Sequence, residues 1–366
     1  EVFTTKHHDG FCMFDTKTTD YKITDAKTPY STNPRSDVTK EIFSAFRKQD
    51  FWIGAYFSKP DWHSDAYWWN RFPPADRNPN YSIQKYPAQW KKFVDYTHTQ
   101  IDELASNYGR LDILWLDGGW VRTKTDEELK ADMMEVYEGS RVARNPQSQD
   151  IDMPLLVKNA RARQPGLIVV DRAVPGVYQN YLTPEQHIPE EGLPYPWETC
   201  MTMGQSWSYV PNDVYKPVDE LLRKLVDIIS KGGNLLLNIG PGPDGEWSDT
   251  AYQRLEAIGK WMKINGGAIY HTRMYKHFSQ GDSIRFSQSD DGKTKFIYLF
   301  TYPEKELSIN QMVFPGNADV QLLGSDHKIN WRRTNDGAVI QLPQALKTAS
   351  RYIWVLEVSE KPGTVH

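Results

Sequence analysis

Residues Ile113–Trp120 read ILWLDGGW, and this stretch decides the predicted fold. Its run of apolar residues is typical of a strand buried on both faces, as in a parallel sheet flanked by helices. The strand ends in Asp117, after which Gly118 and Gly119 let the backbone turn without a Cβ. Functional side chains of parallel β/α folds gather at the C-terminal ends of strands. The pattern therefore indicates a functional carboxylate at Asp117, with helix capping or a turn as the alternative role.

On both sides of this strand, short apolar runs alternate with helical periods as far as about residue 272. Further strands are predicted at 51–57, 167–170 and 234–239, and helices at 87–108, 217–230 and 250–264. This alternation predicts βα units and a parallel sheet, and hence an α/β fold of the (β/α)8-like, TIM type. We expect a barrel that is incomplete at its N-terminus, because the chain opens inside a β-like run and shows about six strands instead of eight.

After Tyr275 the pattern changes to a period of two with frequent turn signals. The candidate strands are SIRFSQ, KFIYLF, ELSINQMVF, VQLLG, HKINW, AVIQL and YIWVLEV. Short strands at this spacing predict a C-terminal antiparallel β-sandwich. We therefore predict a catalytic barrel domain over residues 1–272 and a β-sandwich domain over residues 273–366.

Composition restricts the possible partners. A net charge of −4 and the lack of a dense Lys/Arg run argue against nucleic acid. The sequence has no run of 18 apolar residues, so no membrane span is predicted. The two cysteines cannot build a disulfide framework or a zinc site of several thiolates. The aromatic content of 13% is high, and serves either core packing or the stacking of sugar rings.

Other predicted strand ends carry polar and aromatic residues as well. The opening segment ends in His7 and His8, the 51–57 strand carries Tyr56, and Arg172 follows the 167–170 strand. The segment 181–209 adds four glutamates among many aromatic residues. A metal site would need further ligands that are not evident near the histidines. Aromatic walls, two histidines, an arginine and at least two carboxylates at one barrel mouth favour a sugar-binding pocket.

Six motifs occur in the same order as in the α-L-fucosidases of glycoside hydrolase family 29. They are TKHHDGF, ILWLDGGW, TPEQ, PWETCMTMGQSWSY, KGGNLLLNIGPGPDGEW and GKWMKINGGAIY. The chain thus resembles that family along most of its length, and especially its bacterial branch carrying DGGWV and TPEQ. The resemblance implies an exo-acting, retaining hydrolase of terminal α-L-fucose, on a barrel followed by a β-sandwich. The branch implies a preference for α-1,3/1,4-linked fucose on an oligosaccharide or glycoconjugate.

The resemblance also implies roles for individual residues. Asp117 matches the nucleophile, and Glu185 in TPEQ matches the general acid/base, with Glu198 in PWE as the alternative. The residues that would contact the substrate are His7, His8, Tyr56, Trp62, Trp115, Arg172, Trp197 and Glu198. The chemistry implied needs no metal ion and no organic cofactor.

Family members carry further strands before the KHHDGF strand, so we expect a pocket that lacks one wall. The open barrel edge would favour a homo-oligomer that covers it. Because family members usually act on extracellular or periplasmic glycans, the parent protein is expected to be exported. The competing hypothesis is a fucose-binding protein with little or no catalysis.

Overall fold

The computed structural model of the protein describes residues 1–74, 76–134 and 146–360. The chain divides into two compact units, Glu1–Asn180 and Tyr181–His366. Every helix within the described ranges is too short or too polar to cross a lipid bilayer.

The first unit contains a parallel sheet in the strand order β1-β2-β3-β4. Its strands are β1 (Val2–Lys6), β2 (Gly54–Ser58), β3 (Ile113–Asp117) and β4 (Ile168–Asp171). The segments between them contain α1 (Val38–Arg47), α2 (Pro87–Asn107), α3 (Asp126–Met134) and α4 (Met153–Arg163), together with a short 3-10 helix at Pro29–Thr32. Each strand is thus followed by helix before the next strand, as the sequence pattern predicts.

Strand parity decides which side chains of β3 are free for chemistry. Leu114 and Leu116 are fully buried and belong to the same apolar core as Phe93 and Leu104 of α2. Because successive residues of a strand point to opposite faces, Trp115 and Asp117 point away from this helix-packed face. The burial of one apolar face thereby directs the carboxylate to the other.

The second strand begins later than predicted. The sequence predicts a strand at 51–57, whereas β2 starts at Gly54. Phe51 and Trp52 precede it with 51% and 58% of their surface exposed. Their β propensity has no effect here because they have no partner residues on β1.

The second unit begins with a parallel pair, β5 (Glu198–Thr202) and β6 (Asn234–Asn238), with helices α5 (Val218–Ser230) and α6 (Asp249–Asn265). Helix α6 starts at the N-cap Ser248, whose side chain accepts a hydrogen bond from the Ala251 N–H. Gly233 lies just before β6, where a Cβ would come within 2.4 Å of the Trp197 ring. A side chain at residue 233 would therefore collide with the core.

The remaining strands form two antiparallel sheets within the described residues, in the orders β11-β14-β9-β8-β7 and β10-β13-β12. The strands are β7 (Thr272–Gln280), β8 (Ile284–Ser289), β9 (Lys295–Leu299), β10 (Glu306–Ile309), β11 (Ala318–Leu322), β12 (Asn330–Arg333), β13 (Ala338–Gln341) and β14 (Trp354–Glu360). Short 3-10 helices lie at Gly266–Ala268 and Gln344–Ala349. Apolar residues of both sheets, including Ile297, Leu307, Ile340 and Leu356, share one core. This is the predicted β-sandwich, with β7 as a strand that the sequence did not reveal.

Candidate active site

Asp117 lies at the C-terminal end of β3 and is held from both neighbouring strands. Arg172, directly after β4, places Nη1 3.0 Å from Oδ1 of Asp117. The hydroxyl of Tyr56 on β2 donates to Oδ2 at 2.7 Å, and Ser58 lies 3.1 Å from the same hydroxyl. The Asp117 side chain is only 14% exposed. The carboxylate is therefore fixed in position while keeping a small opening.

The electrostatics of this cluster keep Asp117 ionised. Burial on its own would raise the pKa of Asp117, but the Arg172 guanidinium, the Tyr56 hydroxyl and the Gly118 N–H outweigh it. The net effect lowers the pKa of Asp117 below its ordinary value. Burial, followed by the negative charge of Asp117, raises the pKa of Tyr56, so this hydroxyl remains a hydrogen-bond donor. An ionised, oriented carboxylate can act as a nucleophile.

The two histidines after β1 differ in their environments. His7 is exposed and its ring stacks parallel to Tyr56, with centroids 5.6 Å apart. His8 is partly buried, with Nε2 3.6 Å from Oδ2 of Asp117. Burial, and secondly the charge of His7, lowers the pKa of His8 to about 4. His8 is therefore neutral near pH 7, and its ring offers one donor and one acceptor.

Aromatic rings surround the carboxylate. Trp115 stacks on Tyr56 with centroids 5.3 Å apart, and the Arg172 guanidinium lies 5.4 Å from the Trp115 ring centroid. Trp62 lies 5.1 Å from the His8 ring. His7, His8, Tyr56, Trp62, Trp115, Asp117 and Arg172, all predicted from the sequence, thus form one cluster in the first unit.

Two polar atoms of this cluster are buried without a hydrogen-bond partner among the described residues. They are Nδ1 of His8 and Nε1 of Trp115. A buried donor or acceptor without a partner loses about 1–3 kcal/mol of solvation, so such atoms are uncommon unless a ligand or water completes them. Their position beside Asp117 indicates a site that binds a polar molecule.

The donor types would also allow a metal ion. Ligand atoms of His7, His8 and Asp117 all lie within 4.8 Å of one another. However, Asp117 already bears the Arg172 guanidinium on one oxygen and the Tyr56 hydroxyl on the other. A cation would have to compete with the charge of Arg172 for the carboxylate. That the site works without a metal stays a prediction.

In the second unit, the two candidate glutamates occupy different positions relative to β5. Residues 182–185 run parallel to β5, with Leu182 opposite Trp197 and Glu185 opposite Cys200. Glu185 is exposed and lies towards the C-terminal end of this pairing. Glu198 is the first residue of β5, partly buried, and accepts a hydrogen bond of 3.1 Å from the Tyr181 hydroxyl.

Trp197, which is predicted to contact the substrate, is buried in the core of the second unit. Its side chain is 1% exposed and packs in a hydrophobic cluster with Met201 and Ile228. This burial argues against direct contact between Trp197 and a ligand, and indicates a role in the core.

Two further features at the cluster were missing from the sequence prediction. Trp120 packs edge-on against His8, with ring centroids 5.3 Å apart. Its signal was its place in ILWLDGGW, directly after the two glycines. The second feature is a buried ion pair between Lys59 and Asp171, with Nζ 2.5 Å from Oδ1. Lys59 directly follows β2 and Asp171 ends β4, and these are the two strands that flank β3. The sequence suggests this pair only once the order of the strands in the sheet is known.

Comparison with known proteins gives consistent matches over most of the chain. The family model described as alpha-L-fucosidase matches residues 1–267, and the alpha-L-fucosidase C-terminal domain model matches residues 279–359. The plasma alpha-L-fucosidase of Homo sapiens is 27% identical over 94% of this chain and 68% of its own length.

Solved structures of similar proteins agree. Alpha-L-fucosidase isoenzyme 1 from Paenibacillus thiaminolyticus is 28% identical, with a TM-score of 0.77 over 99% of this chain and 83% of its own. The Thermotoga maritima alpha-fucosidase, in complex with a mechanism-based inhibitor, is 27% identical, with a TM-score of 0.73 over 98% of this chain and 75% of its own. These likenesses confirm the predicted fold class, a (β/α)8-type barrel followed by an antiparallel β-sandwich.

Proposed function

The chain belongs to the α-L-fucosidase family of glycoside hydrolases, and on this premise we propose that it releases terminal α-L-fucose from glycans by a retaining double displacement. The observation that carries the proposal is the environment of Asp117. A carboxylate with a lowered pKa at the end of a strand lies among aromatic rings. Beside it are two buried polar atoms that have no hydrogen-bond partner among the described residues.

In the first step, a carboxylate oxygen of Asp117 attacks the anomeric carbon of fucose. The bond from that carbon to the glycosidic oxygen breaks, and the leaving oxygen takes a proton from the general acid. In the second step the residue that served as the general acid now serves as a base and removes a proton from water. The water attacks the anomeric carbon and breaks its bond to Asp117. Two inversions give net retention.

We propose Glu185 as the acid/base, with Glu198 as the alternative. Glu185 lies towards the C-terminal end of the strand pairing, where catalytic residues of parallel β/α folds collect. Glu198 begins its strand and bonds to the Tyr181 hydroxyl. His7, His8, Tyr56, Trp62, Trp115 and Arg172 are proposed to hold the sugar, with the aromatic rings facing its apolar positions.

The nucleophile assignment is tested with Asp117→Gly. We expect loss of nearly all turnover of an aryl α-L-fucoside with an unchanged far-UV circular dichroism spectrum. Azide should restore part of the turnover by replacing the missing carboxylate. A variant that keeps most of its activity without azide would show that Asp117 is not the nucleophile.

The acid/base assignment is tested by comparing Glu185→Gln with Glu198→Gln on two substrates. An aryl fucoside with a good leaving group needs little protonation, whereas a fucosylated oligosaccharide needs it fully. Loss of the true acid should therefore reduce glycan cleavage far more than cleavage of the aryl fucoside. If Glu198→Gln alone shows this selectivity, the roles are reversed.

The competing hypothesis of a fucose-binding protein predicts binding without turnover. Calorimetric titration with fucose beside a turnover assay separates the two hypotheses.

We further propose an α-1,3/1,4 linkage preference, to be checked on linkage isomers. A homo-oligomer, to be checked by sedimentation, and the domain division 1–272 and 273–366 also remain proposals. The family matches at 1–267 and 279–359 support that division.

A further inference from the structure

A cavity of about 410 Å³ lies in the first unit, separate from the cluster around Asp117. Its walls come from the segment after β1, the segment after β2 and the first half of α2. The lining includes Thr18, Thr19, His63, Asp65, Lys92 and Tyr96. Since β1 and β2 are parallel, the segments that follow them meet at the sheet edge that also carries Asp117.

The groups that line the cavity are suited to a neutral molecule rich in hydroxyl groups. Threonine hydroxyls, an imidazole, one carboxylate and one ammonium group provide neutral and charged hydrogen-bond donors and acceptors. Asp65 and Lys92 balance one another in charge, so the lining is not selective for an anion or a cation. The volume lies within the usual range of small-molecule sites, roughly 300–1,000 Å³.

The segment 61–64, of which His63 and Ser64 line the cavity, is held in place by several hydrogen bonds. The fully buried carboxylate of Asp61 accepts hydrogen bonds from Nζ of Lys6 at 3.2 Å and the Tyr96 hydroxyl at 3.0 Å. Its other oxygen accepts the backbone N–H groups of His63 and Ser64 at 3.0 and 2.8 Å. A carboxylate with four donors fixes the segment before any ligand arrives, which lowers the entropic cost of binding.

The same short segment separates the cavity from the candidate active site. Trp62 packs against His8 on one side, and the next residue, His63, lines the cavity on the other. The His63 ring is held by stacking on Tyr21, with centroids 3.8 Å apart. One segment of adjacent residues thus contacts both the candidate active site and the cavity.

We propose that this cavity is a subsite for a neutral sugar of the glycan that carries the fucose. The proposal rests on the proposed function, because it assigns the cavity to the leaving group of that reaction. Contacts there hold the glycan without touching the reacting atoms. These contacts strengthen the binding of oligosaccharides and do not affect the binding of small aryl fucosides.

The test uses Lys92, which is exposed on α2 and lines the cavity. Lys92→Trp fills the cavity with an indole ring. Lys91→Trp is the matched control, since Lys91 is exposed on the same helix but is not part of the lining. For a fucosylated trisaccharide, we expect Lys92→Trp to lower kcat/KM roughly tenfold through KM, the equivalent of one or two hydrogen bonds. Turnover of 4-nitrophenyl α-L-fucoside should stay within about twofold of wild type, and Lys91→Trp should leave both substrates unaffected.

Equal loss on both substrates, or no loss on the trisaccharide, would overturn the subsite. A second measurement does not depend on turnover: saturation-transfer NMR with the fucose-free disaccharide N-acetyllactosamine. Binding to wild type and Lys91→Trp but not to Lys92→Trp supports the subsite. Absence of binding to wild type, or equal binding to all three proteins, overturns it. A wild-type protein that binds the disaccharide but cleaves neither fucoside would instead overturn the proposed function.

Discussion

The buried ion pair between Lys59 and Asp171 gives the most direct test of the forces at the sheet edge. The Lys59 side chain is fully buried and that of Asp171 is 4% exposed. Burial lowers the pKa of Lys59 and raises that of Asp171, in each case against the attraction of the partner. The pair links the ends of β2 and β4 on either side of β3, next to Arg172.

Replacing Lys59 with Met leaves the Asp171 carboxylate buried without its cation. Breaking such a pair costs about 3–5 kcal/mol, because the remaining charge keeps its desolvation penalty. The double variant Lys59→Met/Asp171→Leu removes both charges and should lie within about 2 kcal/mol of wild type. As control, Lys91→Met breaks an exposed pair with Asp95 and should cost less than about 1 kcal/mol.

The assay is urea denaturation followed by tryptophan fluorescence at pH 7 and pH 5. Burial already raises the pKa of Asp171 in the folded wild type, and removal of the Lys59 charge raises it further, so protonation at lower pH stabilises the single variant more than the wild type. The loss relative to wild type should therefore shrink as the pH falls. The reasoning is refuted if Lys59→Met costs less than about 1 kcal/mol, or if the double variant is less stable than the single variant.

Further predictions concern charge and packing. Arg172→Met removes the guanidinium that helps keep the pKa of Asp117 low, so the acid limb of the pH profile of kcat/KM should move up by roughly 1–2 pH units. An acid limb that does not move would contradict the assignment of Asp117 as the group that must be ionised. Burial lowers the pKa of His8 from 6.5 to about 4, so between these values the unfolded chain binds a proton that the folded chain does not. Wild-type stability should fall by up to about 3 kcal/mol as the pH drops through this window, and His8→Gln, which cannot titrate, should lose that slope in urea midpoints. Gly233→Ala should destabilise by about 1–3 kcal/mol through steric overlap, whereas Gly259→Ala, on α6 with open space at its Cβ, should stabilise by up to about 1 kcal/mol; thermal unfolding that fails to separate the two variants would argue against the packing described at residue 233.

Elements with strong local signals were predicted well. Helix α5 is predicted at 217–230 and spans Val218–Ser230, because its apolar residues repeat at the helical period. Strand β7 was missed because its sequence, TRMYKHFSQ, shows little apolar alternation and its side chains are mostly partly or fully exposed. It is held by pairing with β8, a tertiary contact with a weak signature in its own residues.

The sequence by itself determined that β3 is a buried strand and that Asp117 ends it, because apolar periodicity and the following glycines are local properties of the chain. It also carried the motifs of the family. Only the tertiary structure decided that Tyr56 and Arg172 converge on Asp117, since this depends on the register of β2 and β4 against β3. It likewise decided that Trp197 lies in the core. Residues more than 50 positions apart come together through cooperative packing of the whole sheet, and that free energy is not a property of any short segment.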